Sequence, residues 1–239
     1  MHRDYRKWHS PALHREMELL IFGHAGARVL VFPTSKGKFY EWEDRKMIET
    51  LGHALENGFI QLYCVDSVDA ESWYNWGVHP GYRGWRQTEY ENYLIYEVLP
   101  LSWQLNPNPF LITTGASFGA YHAVDFALRH PELVGRVLGM NGFYNVENWT
   151  DGYQEGEVYY HSPCLYLKNE WDGHRLDQLR KIDIILTTAW DDPIRYSTDA
   201  LSQTLWDKNI WHAKRVWDGW AHDWPWWQRQ IHMYLGGHD

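Results

Sequence analysis

Short apolar runs alternate with longer amphipathic stretches along this chain, which predicts strands alternating with helices. We predict strands at about 17–23, 27–33, 60–66, 109–113, 135–140, 182–190 and 212–217. Helices are predicted at about 40–56, 89–104, from Phe118 onward, 197–208 and 224–235. The first two strands are expected to form a hairpin around the turn at 23–26. This order favours an α/β fold, a mostly parallel central sheet flanked by helices.

The segment between about 143 and 180 has poor periodicity and is rich in polar and aromatic residues. A connection of this length is either a small cap over a site or a long surface loop. No linker, repeat or low-complexity stretch interrupts the chain. We therefore expect residues 1–239 to form a single domain.

The most informative motif is Gly115-Ala116-Ser117-Phe118-Gly119, which joins a predicted strand to a predicted helix. Such a position fits a nucleophile elbow, a sharp turn that strains the serine backbone and requires very small residues two before and two after it. Small apolar residues recur along one face of the following helix, so that it can lie close to a sheet. The alternative for the motif alone is an ordinary Gly-rich turn. We predict Ser117 as a nucleophile and the Phe118 amide as one oxyanion donor.

A serine nucleophile needs a base, and the base needs an acid that orients it. In proteins with such an elbow, the three residues follow one another along the chain in the order Ser, then Asp or Glu, then His. The predicted strand at 182–190 runs directly into Asp191 and Asp192, and His222 lies on the loop beyond the last predicted strand. We predict Asp192 as the acid and His222 as the base, with Asp191 as the alternative acid.

With these motifs the chain resembles the esterase family of the α/β-hydrolase superfamily. That family includes S-formylglutathione hydrolases, feruloyl and acetylxylan esterases, enterochelin esterases and mycolyltransferases. The resemblance covers nearly the whole chain and rests on residues 31–37, 39–44, 115–119, 191–192, 217–219 and 222–224. It implies the α/β-hydrolase fold, with Ser117 as nucleophile, His222 as general base and Asp192, the second of the pair, as orienting acid.

The resemblance also implies a second oxyanion amide in the loop after an early strand, here Pro33-Thr34-Ser35-Lys36. Matching the strand ends favours Ser35, and Thr34 is one register away. The implied reaction is cofactor-free hydrolysis of a carboxylic ester through an acyl-enzyme. Two alternatives stay open: an acyltransferase that uses the same triad, and a ligand-binding protein on the hydrolase fold that has no turnover.

Composition narrows the classes of partner. A formal net charge of −9 argues against nucleic acid and anionic membranes as the main partner and does not identify a substrate. The resemblance implies a small-molecule ester as the partner. The chain lacks a secretion signal and any run of eighteen apolar residues, from which we expect no membrane association and a cytoplasmic location. Two cysteines, and no HExxH, GxGxxG or P-loop motif, predict neither a metal site nor a cofactor. The sequence is compatible with a monomer or a homo-oligomer.

The sixteen tryptophans gather in two regions, after the third predicted strand and around His222. Large aromatic side chains most often pack in a core. Those on loops are also candidates for the wall of a pocket that accepts a bulky acyl, aromatic or sugar group. The two groups are Trp73, Trp76 and Trp85, and Trp217, Trp220, Trp224, Trp226 and Trp227, of which we expect Trp227 to pack in the core.

Overall fold

The central strands are mostly apolar and are buried along their whole length, because both faces of the sheet are covered. All residues of Ile60–Val65 and Leu111–Ala116 are buried. The structure is a computed structural model and describes residues 1–235. Within them, eight strands form one sheet: β1 Arg3–Ser10, β2 Arg15–Phe22, β3 Ala27–Phe32, β4 Ile60–Val65, β5 Leu111–Ala116, β6 Arg136–Met140, β7 Asp183–Ala189 and β8 Ala213–Trp217.

The strand order across the sheet is β1-β2-β4-β3-β5-β6-β7-β8. The pairs β1/β2 and β2/β4 are antiparallel, and every other neighbouring pair is parallel. The C-terminal ends of β3 and β5 to β8 therefore lie at the same edge of the sheet. The prediction of a mostly parallel α/β sheet is confirmed.

The helices connect these strands and cover both faces of the sheet. They are α1 Glu41–Asp44, α2 Met47–Thr50, α3 Gly52–Glu56, α4 Pro80–Tyr93, α5 Leu99–Leu105, α6 Phe118–Arg129, α7 Glu157–Tyr160, α8 Pro163–Tyr166, α9 Gly173–Leu179, α10 Arg195–Asp207 and α11 Trp224–Tyr234. A π-helical turn, Leu94–Val98, joins α4 to α5, and short 3₁₀ turns occupy Val146–Trp149 and Leu167–Asn169. None of the helices in residues 1–235 is long and apolar enough to cross a membrane.

Two apolar cores lie on opposite faces of the sheet, as the alternation along β3 illustrates. Leu30 and Phe32 pack in the core that α4, α6 and α10 cover. Val29 and Val31 pack in the other core, beneath α1 to α3 and α11. Successive side chains of a strand point to opposite faces, so one strand contributes to both layers. The predicted helices on both faces are confirmed.

The predicted hairpin between the first two strands is wrong. The segments at 17–23 and 27–33 do form strands, β2 and β3, but β4 lies between them in the sheet. The hairpin partner of β2 is β1, which was not predicted. β1 is an edge strand whose residues are mostly exposed or half-buried, so its sequence is largely polar and lacks the pattern of a buried strand.

Two predicted helices differ in extent from the observed ones. The stretch 40–56 forms three short helices: Lys46, whose backbone is left-handed with φ of 58°, separates α1 from α2, and Leu51 separates α2 from α3. The helix predicted at 89–104 begins at Pro80 and runs on to Leu105. Its first half was missed because it buries arginine side chains such as Arg86, which pairs with Glu71 at 2.6 Å and obscures the apolar periodicity.

The segment at 143–180 combines features of both predicted alternatives. It contains α7, α8, α9 and the two 3₁₀ turns. α7 packs against α4, and α8 packs against α10, so most of the segment extends the helical layer on one face of the sheet. Only its first part, near Phe143 and Trp149, borders the candidate site. The last four residues of the predicted domain, 236–239, lie outside the described residues.

A buried group of charges ties α4, α6 and the end of α7 together. Glu91 accepts hydrogen bonds from Arg129 at 2.8 Å and from His130, and it lies 3.5 Å from His161. Burial alone raises the pKa of Glu91. The hydrogen bond with His130 and the electrostatic interactions with His161 and Arg129 outweigh burial and lower this pKa to about 2.

We predict that Glu91→Gln lowers the free energy of unfolding, and that the loss is largest near neutral pH. Because the folded pKa lies below the unfolded value of 4.5, ionised Glu91 stabilises the fold above about pH 4.5, and this contribution disappears as the pH falls towards 2. The difference in free energy of unfolding between wild type and variant should shrink by about 3 kcal/mol across that interval, as measured by urea denaturation. Exposed Glu49→Gln is the control, and a Glu91→Gln difference independent of pH would contradict the assignment.

Candidate active site

Ser117 occupies a sharp turn between β5 and α6. Its φ and ψ are 54° and −118°, a conformation that non-glycine residues rarely adopt. The amide of Ser117 donates to the carbonyl of Met140 on β6 at 2.8 Å, which holds the turn against the neighbouring strand. The side chain therefore sits at the C-terminal edge of the sheet, in the strained geometry that the sequence predicts.

The glycines on either side are required by close backbone approach. A Cβ atom added to Gly115 would lie 2.3 Å from the backbone of Gly119. A Cβ atom on Gly119 would lie 2.5 Å from the carbonyl oxygen of Pro33, in the loop after β3. Real Cβ contacts are never that short, so neither site accepts a side chain without a shift of the backbone.

The structure brings Ser117, His222 and Asp192 together in one hydrogen-bonded row. His222 Nε2 lies 3.2 Å from Ser117 Oγ, and His222 Nδ1 lies 3.1 Å from Asp192 Oδ2. His222 is on the loop between β8 and α11, immediately after Ala221, whose φ is 45°. This geometry suits a proton transfer from the serine hydroxyl to the imidazole.

Asp192 is buried, whereas the neighbouring Asp191 is exposed. Asp192 accepts hydrogen bonds from His222, from the side-chain amide of Asn141 at 2.7 Å and from the backbone amide of Ile194 at 3.1 Å. Burial alone raises the pKa of Asp192, but these hydrogen bonds outweigh burial and lower it. Of the two predicted candidates, the carboxylate that contacts the imidazole is that of Asp192.

The two amides predicted as oxyanion donors have no competing acceptor. Within residues 1–235, neither the Ser35 amide nor the Phe118 amide donates a hydrogen bond. The alternative donor, Thr34, already gives its amide to Glu41 Oε2 at 2.7 Å. The Ser35 hydroxyl accepts a hydrogen bond from Tyr74 at 2.8 Å, and burial raises the pKa of that phenol. Ser35 is therefore the free amide of this loop.

A pocket of about 270 Å³ opens over Ser117. Ser35, Phe118, Asp192 and His222 line it, together with mostly aromatic or apolar residues that carry no charge: Tyr74, Phe143, Trp149, Pro193, Ile194 and Trp220. Within residues 1–235, no group of three or more His, Cys, Asp or Glu side chains is arranged to hold a metal ion.

No family model and no curated protein matches the chain. Solved structures match it over nearly its whole length. A ferulic acid esterase aligns with a TM-score of 0.79 and 16% identity, covering 98% of this chain and 96% of its own. The S-formylglutathione hydrolase from Agrobacterium tumefaciens has a TM-score of 0.76 and 14% identity, with coverage of 99% and 94%. MPT51 from Mycobacterium tuberculosis has a TM-score of 0.61 and 17% identity, with coverage of 98% and 97%.

The chain has the α/β-hydrolase fold. The structures that it matches include the kinds of protein named by the sequence resemblance, which is thereby confirmed. In an α/β-hydrolase the nucleophile follows a central strand, and the acid and base follow later strands in that order. In this chain Ser117 follows β5, Asp192 follows β7 and His222 follows β8, so the three residues occur in the same order.

Sequence reasoning missed Asn141, whose side chain donates a hydrogen bond to Asp192. Asn141 follows β6, is fully buried and has a left-handed backbone with φ of 51°. Its Oδ1 accepts hydrogen bonds from Trp227 at 3.2 Å and Gln230 at 3.3 Å, while its Nδ2 donates to Asp192. Asn141 could have been identified by the signal that identified Asp192, a polar residue at the C-terminal end of a strand.

The aromatic residues of the pocket agree only in part with the tryptophans singled out from sequence. Trp220 lines the pocket, but Trp73 is fully buried beside Tyr121. The other aromatic walls come from Tyr74, Phe143 and Trp149. Two of these lie in the 143–180 segment, whose weak periodicity concealed their position.

We predict that Gly119→Ala disrupts the elbow. The added methyl group would overlap the carbonyl oxygens of Pro33 and Phe32, so the free energy of unfolding should fall by about 1–3 kcal/mol and activity should be lost. Gly52→Ala is the matched control, since its Cβ meets nothing within 4 Å and alanine favours a helix. Thermal unfolding compares the two, and equal melting temperatures would contradict the proposed close contact.

Proposed function

We propose that the protein is a serine hydrolase that cleaves carboxylic esters through an acyl-enzyme. The observation that carries this proposal is the hydrogen-bonded row of Ser117, His222 and Asp192, which opens onto an uncharged pocket. A hydroxyl, an imidazole and a carboxylate in this order are the parts of nucleophilic acyl transfer. The fold supports the proposal, because it is one in which such a row occurs at this sheet edge.

In the first half-reaction His222 Nε2 removes the proton of Ser117 Oγ as that oxygen attacks the ester carbonyl carbon. Negative charge then develops on the carbonyl oxygen, which accepts hydrogen bonds from the amides of Phe118 and Ser35. The carbon–oxygen bond to the alcohol breaks, and the imidazolium returns the proton to the departing alkoxide. The acyl group stays on Ser117.

In the second half-reaction water replaces the alcohol. His222 removes a proton from the water as its oxygen attacks the acyl carbon, and the released proton returns to Ser117 Oγ as the acid leaves. Asp192 accepts the Nδ1 hydrogen of His222 and stabilises the imidazolium that forms in both halves. Its lowered pKa keeps this carboxylate ionised at neutral pH.

The pocket favours an uncharged ester. Apart from Asp192 and His222, none of the lining side chains carries a charge, so a charged acyl group would lose hydration without gaining a partner. Aromatic walls offer apolar contact to a flat or branched group. Trp220, which is 49% exposed, borders the pocket.

The first test is hydrolysis of p-nitrophenyl acetate and butyrate by wild type and Ser117→Ala, each with a metal chelator present. We expect chelator-resistant turnover by the wild type and a loss of at least about 10³-fold in kcat for the variant, because the nucleophile is removed. A fluorophosphonate should label the wild type and leave the variant unlabelled. Equal turnover in both proteins would refute the proposal, and an unlabelled, inactive wild type would favour a binding protein.

The second test compares Asp192→Asn with Asp191→Asn. Loss of the Asp192 carboxylate leaves His222 in the wrong tautomer, and we expect kcat to fall by about 10⁴-fold. Asp191 is exposed and has no contact with His222, so kcat of Asp191→Asn should stay within about two-fold of wild type. Steady-state kinetics on p-nitrophenyl butyrate measures both, and the opposite ranking would make Asp191 the acid.

A further inference from the structure

The loop that carries Ser35 is held by two carboxylates, one on each side of that residue. The Thr34 amide donates to Glu41 Oε2 at 2.7 Å, and the Lys36 amide donates to Asp69 Oδ2 at 2.8 Å. The amide between them, that of Ser35, has no acceptor within residues 1–235. Fixing the peptide groups before and after Ser35 restricts the orientation of its own N–H.

The second of these hydrogen bonds, from the Lys36 amide to Asp69, holds a residue with a strained backbone. Its backbone is left-handed, with φ of 55°, which is unfavourable for a residue with a side chain. The Lys36 side chain is exposed, and its amide is anchored to a carboxylate that is 1% exposed. The hydrogen bond to Asp69 therefore stabilises Lys36 in a backbone conformation that is unfavourable for it.

Asp69 also connects this loop to the helix of the elbow. Its Oδ1 lies 2.8 Å from Nε2 of His122, which is buried on α6 five residues after Ser117. The amide nitrogen of Gln87 lies 3.2 Å from His122 Nδ1 and donates to it, which leaves the Nε2 hydrogen for Asp69. The His122 ring also stacks on Phe32 and meets the edge of Phe118, with centroid distances of 5.8 and 4.9 Å.

We propose that Asp69 is a positioning residue for the oxyanion hole, a role that rests on the proposed ester hydrolysis. One oxyanion donor, the Phe118 amide, belongs to α6, and the other, the Ser35 amide, belongs to the loop. Asp69 joins the two by binding the Lys36 amide with one oxygen and His122 with the other. It sets the separation and direction of the two donors without contact with the substrate.

The chain contains a matched control for this arrangement. Asp125, on α6, pairs with His161 at 2.8 Å. Both side chains are buried, with exposed fractions of 3% and 0%. Within residues 1–235, neither Asp125 nor His161 forms a hydrogen bond with the loop after β3. Asp125→Ala thus removes a buried carboxylate from a histidine, as Asp69→Ala does, but leaves the Lys36 amide in place.

The kinetic test uses p-nitrophenyl butyrate and an alkyl boronic acid, whose tetrahedral serine adduct places an oxygen at the oxyanion position. For Asp69→Ala we expect kcat to fall by about 10- to 100-fold with KM within about three-fold, because donors that are misplaced act mainly on the transition state. Boronic acid affinity should fall by a similar factor. Asp125→Ala should lower the melting temperature while its kcat and boronic acid affinity stay within about three-fold of wild type.

Asp69→Asn keeps the shape of the side chain and one oxygen for the Lys36 amide, so we expect an intermediate loss in kcat of about 3- to 10-fold. This variant also tests the proposal if Asp69→Ala does not fold. Wild-type kcat and boronic acid affinity in the folded Asp69 variants, whatever their melting temperatures, would overturn it. Equal kinetic losses in Asp125→Ala would overturn it as well.

Amide hydrogen exchange, followed by NMR, separates this proposal from the proposed function. The Lys36 amide should be protected in wild type and Asp125→Ala and should exchange at least about ten-fold faster in Asp69→Ala, with Asp69→Asn between the two because it keeps one oxygen for this amide. An unprotected Lys36 amide in the wild type would overturn the anchoring. If Lys36 exchanges as expected but the wild type has no Ser117-dependent turnover, the ester hydrolysis fails, and the positioning role fails with it, whereas the anchoring stands.

Discussion

The close contact between the start of α6 and the end of β3 is the constraint on which the site depends. Gly119 has no side chain, so its backbone can approach the carbonyl oxygen of Pro33, and Gly115 allows the turn to fold back on itself. This contact fixes the strained backbone of Ser117. It also fixes the distance between the elbow and the loop that carries Ser35. A single steric requirement thus sets the nucleophile relative to both of the amides proposed to stabilise its reaction.

Buried polar side chains behind the site add to the positioning that the backbone provides. Asn141 ties Asp192 to Trp227 and Gln230 on α11, so the acid is held from the same helix that follows His222. Each of these groups would be costly to bury alone, and each is stabilised by its partner. The network restricts the orientation of the carboxylate, which is the property that a proton-transfer row needs from its third member.

The sequence predicts the parts of the fold whose pattern is local. Buried strands were found because apolar residues dominate them, and Ser117, Asp192 and His222 were found because each follows a predicted strand. β1 was missed because an edge strand is polar, and the start of α4 was missed because Arg86 is buried against Glu71. Long-range pairs gave no local signal, as with Asp69 and His122, which are 53 residues apart.

Three buried aspartates of this protein each bind a histidine at about the same distance, so the pairing itself does not define a reactive site. The separations are 3.1 Å for His222–Asp192 and 2.8 Å for both His122–Asp69 and His161–Asp125. The histidine side chains differ in exposure, at 18%, 1% and 0% respectively. His222 lines the pocket and contacts the Ser117 hydroxyl, whereas the partners of the two enclosed rings lie within the core. Access to the pocket therefore distinguishes the pair proposed to act in catalysis from the two pairs enclosed in the core.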